Sequence, residues 1–488
     1  MDQTNFQPAT PPPLDHASVR LVVIGTMVAM FLAALDQTIV ATALPTIGRD
    51  LNDLEHLPWV VTVYLLTSTA ATPIYGKLSD VFGRRLMMLV AITVFLVGSV
   101  LCAVAPTLLV LILARAIQGL GGGGLISTAQ TIIGDVIPPR DRGKYQAYFS
   151  AVFVSSSILG PVLGGFLSEE IHWSAIFWIN IPIGAAAFLM TNSILRRLPR
   201  HDRPHKIDIL GAVLMVTATV ALLLALSFGG TRYAWTSPQV IGLVALSVIV
   251  WVLFAWRLAR AAEPFFPLDL LGNKVVRYAI AGSFFGIGTM LGLTIYLPIY
   301  FESVVRISAA MSGVALIAFM FGTVAGANIA GQILMRVDHY KRPIVAAMSL
   351  TVPLMLVLVI WPVEISLPWL LVILFFVGVS LGLIFPFSTV TVQNAVPLHQ
   401  LGTATAALNF IRSLGGAILI ALFGAIYLSL GGTVSGGSHG FTEAQALAPA
   451  FRGVFIASTL AFVATVICLS GVKELPLRGK GAAAAPAG

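Results

Sequence analysis

Residues 21–44 read LVVIGTMVAMFLAALDQTIVATAL, an apolar stretch carrying a single charge, Asp36. A helix needs about 20 predominantly apolar residues to cross a hydrocarbon core of about 30 Å, so this stretch is long enough to span a membrane. Thirteen further stretches of the same kind follow, near 59–78, 86–105, 107–134, 144–168, 173–195, 209–229, 238–258, 278–301, 309–335, 343–362, 367–390, 402–430 and 451–472. The composition points the same way. Of 488 residues, 58% are hydrophobic and 10% charged, against roughly 45–50% and about 25% in soluble domains. The expectation is an all-α integral membrane protein of 14 spans. The first 18 residues are polar and proline-rich, and the run after them lacks a small-residue cleavage pattern. It reads as a retained first span and not as a signal peptide.

The net charge of +8 does not indicate nucleic acid, because the basic residues sit in short loops between apolar runs. An even span count puts both termini on one side. With cytoplasmic tails, 22 of the 28 Lys and Arg residues fall on that side and four on the other: Arg49, Arg232, Arg306 and Arg452. The positive-inside rule therefore makes both termini cytoplasmic. Cys102 and Cys468 both lie inside apolar runs, which leaves no reason to expect a disulfide or a metal site.

The chain also echoes itself. IPPRDRG (Ile137 to Gly143) and VPLHQLG (Val396 to Gly402) each place a Pro five residues before a Gly that opens the next span. GKLSDVFGRR (Gly76 to Arg85) has a degenerate counterpart in GQILMRVDHYKR (Gly331 to Arg342). Parallel repeats of this kind are typical of transporters whose halves rock about a central site. The expected organisation is a tail at 1–20, a six-helix bundle at 21–195, loops and two extra linker helices at 196–277, a second six-helix bundle at 278–472, and a tail at 473–488.

Charge inside hydrocarbon costs about 2.5–3.5 kcal/mol on insertion scales, so each instance needs a reason. Three stand out: Asp36, Arg115 and Arg412. Asp36 precedes Pro45 by nine residues and Arg115 follows Pro106 by nine, placing both about 13–14 Å below the outer face. Equal depth and opposite sign predict that they meet, directly or through water or Gln118. A carboxylate that is alternately desolvated and paired can take up and release a proton. A fixed ion pair joining the first and fourth spans is the plainer alternative. GLGGGG (Gly119 to Gly124) looks like a phosphate-cradling loop but follows no strand. Its glycines, like those of GPVLGG (Gly160 to Gly165), read as close-packing faces. In the loop after span 2, Asp80 can meet a helix end or an arginine, and Gly83 permits a tight turn.

Together these segments resemble the major facilitator superfamily, and within it the fourteen-span drug:proton antiporters, over about residues 20–472. LDQTIVATALPTI (Leu35 to Ile47) is similar to that family's first-helix motif, which implies proton coupling at Asp36. GKLSDVFGRR matches the superfamily's loop motif at Gly76, Asp80, Gly83, Arg84 and Arg85, implying a gating role. LARAIQGLGGG (Leu113 to Gly123) matches the fourth-helix motif and implies proton transfer at Arg115. GPVLGG matches the fifth-helix antiporter motif at Gly160, Pro161, Gly164 and Gly165. WSAIFWINIPIG (Trp173 to Gly184) resembles the sixth-helix motif, departing from it at Ser174 and Ala175.

The resemblance implies export of amphipathic compounds in exchange for protons from the inner membrane of a bacterium, with no cofactor beyond the proton-motive force. Each charge crossing is worth about 2.3 kcal/mol per 100 mV. A substrate cavity is expected near the midplane, with Asn328, Gln332, Gln393, Asn394, Asn409, Phe410 and Arg412 as candidates, and Tyr64, Phe149, Phe153, Tyr296 and Tyr300 as further aromatic ones. With Asp36 the sole deep acid, monovalent cations and neutral or zwitterionic lipophiles are expected and dications disfavoured, and Arg412 leaves room for an anion. A dedicated metabolite carrier on the same fold is the alternative. Expected partners are the lipid bilayer, protons and a small lipophilic substrate. A periplasmic adaptor remains open, since no long outer loop declares a docking site. No Cys–His, Ser–His or metal constellation outside the spans suggests an enzyme.

Overall fold

The computed structural model describes residues 16–53, 56–139, 141–194, 208–230, 232–261, 264, 270, 272–363, 365–431 and 441–477. The start of the N-terminal tail, the loop at 195–207, Arg140, the glycine-rich stretch at 432–440 and the end of the C-terminal tail lie outside these.

Sixteen helices carry the fold among the described residues: α1 (His16–Asp50), α2 (Trp59–Phe82), α3 (Arg84–Ala103), α4 (Leu108–Val136), α5 (Arg142–Glu170), α6 (Ala175–Trp178), α7 (Asn180–Ile194), α8 (Ile209–Phe228), α9 (Pro238–Arg260), α10 (Lys274–Tyr300), α11 (Ala309–Arg336), α12 (Lys341–Ser349), α13 (Thr351–Ile360), α14 (Leu367–Asn394), α15 (Leu401–Ser429) and α16 (Phe441–Ser470). Two expected spans are each broken in two, α6 with α7 at Ile179 and α12 with α13 at Leu350.

Among the described residues, thirteen helical segments are long and apolar enough to cross a membrane. Helix α2 falls short of them in hydropathy although it has 24 residues. Thr62, Ser68, Thr69 and Thr72 dilute its apolar character, and all four line a cavity. The polarity that lowers its hydropathy is therefore a surface turned inward. Outward faces are the reverse. Leu109, Leu113 and Leu120 on α4, and Val248, Val252 and Trp256 on α9, are all exposed. So much exposed apolar surface suits a hydrocarbon solvent and not water.

Helices α1 to α7 pack chiefly on one another: α1 against α5 and α7, and α2 and α3 against α4. Glycines set these contacts. A Cβ at Gly121 would lie 2.4 Å from Phe95 N, one at Gly123 would lie 2.2 Å from Ser68 O, and one at Gly119 would lie 2.1 Å from Thr67 Oγ1. The backbones of α2 and α3 thus touch α4 where no side chain fits. Helices α10 to α16 gather around a separate core in which α11 packs on α14 and α10 on α15 and α16. The α8–α9 hairpin packs against α2 and α15.

Two crossings tie the first set of helices to the second. At one, α2 meets the start of α15: a Cβ on Gly76 would lie 2.1 Å from Ala406 Cβ and 2.8 Å from Gly402 O. At the other, α5 meets the end of α11: a Cβ on Gly331 would lie 2.5 Å from Gly143 O. These four glycines come from the two repeated sequence pairs, Gly76 with Gly331 and Gly143 with Gly402.

Candidate functional site

Helix α1 carries Asp36 with its carboxylate fully enclosed. Arg115, on α4, donates from Nη1 to Asp36 Oδ2 at 2.5 Å. The other carboxylate oxygen, Oδ1, accepts from Gln118 Nε2 at 2.8 Å and from Asn180 Nδ2 at 3.0 Å. Gln118 lies one turn beyond Arg115 and also accepts from it, at 2.8 Å. Asn180 is the first residue of α7, just past the break at Ile179, and its amide reaches Ser99 Oγ at 2.9 Å. The Arg115 guanidinium sits 4.2 Å from the centre of the Tyr64 ring, and its Nε donates to Val60 O at 3.2 Å. The ion pair therefore joins α1, α2, α4 and α7. Burial of two charges is tolerated here because nearly every polar atom of the pair is met by a partner.

Beside this network, but not including Asp36, lies a cavity of 1620 Å3. Ala34, Gln37 and Thr38 of α1 contribute to its wall, so the Asp36 helix shows one face to the cavity and turns its acid away. Across the cavity, Arg412 and Asn409 come from α15 and Phe385 from α14. Arg412 Nη2 donates to Ser388 Oγ at 2.7 Å, Thr389 Oγ1 at 2.9 Å and Phe385 O at 3.0 Å. Nη1 donates to Asn409 Oδ1 at 3.2 Å, and the guanidinium lies 4.2 Å from the centre of the Phe385 ring. Asn409 Nδ2 in turn reaches Gln130 Oε1 at 2.9 Å, bridging α15 to α4. Among the described residues no carboxylate forms an ion pair with Arg412.

The cavity extends to Glu302, Ser303 and Arg306, in the turn after α10. At the opposite end the two sets of helices close on one another. Asp80 Oδ1 accepts from Gly402 N at 3.0 Å; Oδ2 accepts from Thr403 N at 2.7 Å and Thr403 Oγ1 at 2.6 Å. A carboxylate at the N-terminus of α15 meets free N–H groups and the positive end of the helix dipole. Arg84 holds the same carboxylate at 2.5 Å and reaches Asp135 Oδ2 at 2.6 Å. Gly83, with φ of 88°, makes the turn between α2 and α3 in a conformation that favours glycine. Arg85 instead turns to Asn192 on α7, at 2.5 Å.

Gly160 and Gly164 of α5 lie against α1: a Cβ would meet Thr38 Oγ1 at 2.0 Å and Thr42 Oγ1 at 2.1 Å, respectively. Pro161 lies inside α5, between these two contacts. A side chain at Gly165 would meet nothing within 4 Å, so it is not part of this face.

Of the seven cavity candidates, Asn409 and Arg412 reach the wall. Asn328 and Gln332 are exposed, and Asn328 bonds back to Val324 O on its own helix. Gln393 and Asn394 are buried away from the wall, bonded to Gln130 O at 3.3 Å and Pro476 O at 3.1 Å. Phe410 is buried and faces Trp251 of α9. The reason is helical phase. The α15 wall residues are 409, 412, 413, 416, 417, 420, 421, 424, 425, 427 and 428, a single face at steps of three and four. Phe410 points about 100° away from Asn409, off that face. Among the aromatic candidates, Phe153 and Tyr296 line the cavity, whereas Tyr64, Phe149 and Tyr300 do not.

Sequence reasoning passed over Asn180 and Ser99. An Asn between Ile179 and Ile181 in an apolar span was the available signal for the first. The α8–α9 hairpin also contributes Leu223, Ser227 and Trp235 to the cavity wall, which no sequence pattern indicated.

The family profile described as Major Facilitator Superfamily matches residues 26–420. A protein named "Multidrug transporter protein MdtP" from Bacillus subtilis (strain 168) is 35% identical over 409 residues, covering 83% of this chain and 75% of that one. "Multidrug resistance protein 3" of the same organism is 34% identical over 411 residues, covering 84% and 80% respectively. The solved structure described as the human organic anion transporter MFSD10 (TETRAN) superposes with a TM-score of 0.62 at 17% identity, covering 93% of this chain and 100% of that chain, a likeness of fold alone.

Proposed function

Because this chain belongs to the Major Facilitator Superfamily, and is therefore a multi-pass membrane transporter and not an enzyme, we propose that it exports amphipathic drugs or other toxic organic compounds in exchange for protons. The single observation that carries the coupling is the enclosed Asp36–Arg115 pair. Its relatives named as multidrug transporters support the drug-export half of the reading.

The proposed topology has fourteen spans, α2 among them, with both termini cytoplasmic and the chain in the bacterial inner membrane. The two sets of helices then act as the two moving halves, with α8 and α9 between them. The Asp80 end is cytoplasmic, the Glu302 end faces out, and the arrangement described above is the outward-open state.

Protonation of Asp36 removes the negative charge facing Arg115. Arg115 is left with Gln118 Oε1 and Val60 O as acceptors and with the Tyr64 face. The grip between α1 and α4 loosens, and α1 carries Gln37 and Thr38 of the cavity wall with it. Proton uptake is thereby tied to reshaping of the cavity. Asp80 acts at the other end, holding the cytoplasmic side shut through Gly402 and Thr403 until the halves rock. The glycines of α5 let α1 slide close against it. In vesicles with an interior pH probe, a panel of lipophilic compounds should drive proton movement through the wild type and not through Asp36→Asn. Unchanged movement in the variant would remove Asp36 from the mechanism.

A further inference from the structure

The charge inventory of the cavity wall is short. Among the described residues three charged side chains line it: Glu302 and Arg306, close in sequence in the turn after α10, and Arg412. Glu302 and Arg306 carry opposite charges and sit at one end of the cavity. Arg412 lies eleven residues into α15 from Leu401, about 16 Å from the closed end, with no acid beside it. Asp36 does not offset it, since that carboxylate is sealed off from the cavity and already bound to Arg115.

Arg412 also has donors to spare. A guanidinium carries five N–H groups. Nη2 uses its two among Ser388, Thr389 and Phe385 O, and Nη1 uses one on Asn409. The N–H on Nε is buried without an acceptor, and Nη1 keeps a second N–H beyond the one given to Asn409. All four acceptors are uncharged, so they fix the guanidinium in place without neutralising it. A buried cation held in this way gains most from an anion delivered by a ligand. Phe385 lies against it, and the same cavity wall carries Ile287, Met290, Phe319 and Met320.

We infer that the cavity has a subsite for one anionic group, a carboxylate or sulfonate on an amphipathic ligand, with Arg412 as the counter-charge and the ligand's apolar body lying against Met290, Phe319 and Phe385. A cation at this depth meets an uncompensated positive charge. The substrate class of the proposed exporter is thereby narrowed to monoanionic or zwitterionic amphiphiles. This step rests on the export reading for what is carried, but binding is testable without transport.

Three fluorescent ligands of equal bulk serve as probes: dansylglycine, its neutral amide, and a dansyl-ethyl-trimethylammonium cation, titrated into purified full-length protein in a neutral detergent. Dansylglycine should bind about tenfold tighter than the amide, and the cation more weakly than the amide. Arg412→Gln should lower dansylglycine to the level of the amide while leaving the amide unchanged, and Arg412→Lys should keep part of the preference. Equal binding of acid and amide by the wild type, tightest binding of the cation, no saturable binding of dansylglycine, or a preference that survives in Arg412→Gln would overturn the inference. The order of the three probes on the wild type decides it even if the variants fail to fold. Loss of proton coupling in vesicles is read separately and bears on the export reading alone.

Discussion

Arg115 and Arg412 are two arginines buried in the spans of the same chain, and they are held in opposite ways. Arg115 faces a carboxylate, with two amides completing the site. Arg412 faces two hydroxyls, an amide and a backbone carbonyl, with no acid beside it. Arg115 is sealed between helices, whereas Arg412 borders the cavity. A closed pair stores its counter-charge inside the protein and can change only by taking a proton. An open cation takes its counter-charge from whatever enters. The first arrangement suits energy coupling and the second suits recognition.

Substitution separates the two. Arg115→Gln leaves the Asp36 carboxylate buried with amide donors alone, and should destabilise the protein by roughly 3–5 kcal/mol, the range for breaking a buried pair from one side. Thermal unfolding in detergent checks this, and a shift no larger than that of Arg412→Gln would break the contrast. Asp80→Asn comes next. It weakens three contacts that close one end, to Gly402 N, Thr403 N and Thr403 Oγ1, together with the local pairing to Arg84. Charge-assisted hydrogen bonds are worth about 1.5–3 kcal/mol each, so a net loss of about 2 kcal/mol should raise the population open at that end. Cysteine labelling at Thr403 of the double variant, against the single Thr403→Cys control, reads it out.

Arg412→Gln should shift stability by only about 1 kcal/mol in either direction, because no opposite charge is stranded. Ser388 and Thr389 keep their own bonds to Ile384 O and Phe385 O. The smallest effect belongs to Gly165→Ala, within about 0.5 kcal/mol, because nothing lies within 4 Å of the new methyl. Gly164→Ala, one residue away, would press on Thr42 and Ile39 and impair export. Parallel melting and efflux assays on the two alanine variants show whether α5 uses one face or both.

Charge in an apolar run is rare enough to read, which is why Asp36, Arg115 and Arg412 stood out in the sequence. Depth arithmetic from Pro45 and Pro106 was sufficient to put the first two together. The repeats Gly76/Gly331 and Gly143/Gly402 were visible as letters, but their pairing across the closed end was not, since spacing along a chain does not say which helices cross. The echo is also unequal. Asp80 caps α15, whereas Met335 stands at the corresponding place in the second copy. Asn328, Gln332 and Phe410 were misplaced for a related reason. In a helix surrounded by lipid on one side and protein on the other, polarity does not fix the phase, and only the packing does. Asn180 escaped because its role depends on the break at Ile179, for which Pro182 in the first turn of α7 was the available signal.

The central claim is that proton movement runs through the Asp36–Arg115 pair. Proteoliposomes carrying an interior pH probe test it most directly, with wild type and Asp36→Asn challenged by the same exported compound. The account predicts compound-driven proton movement in the wild type and none in Asp36→Asn, while that variant still exchanges labelled for unlabelled compound across the membrane. Proton movement of equal size in both would contradict it.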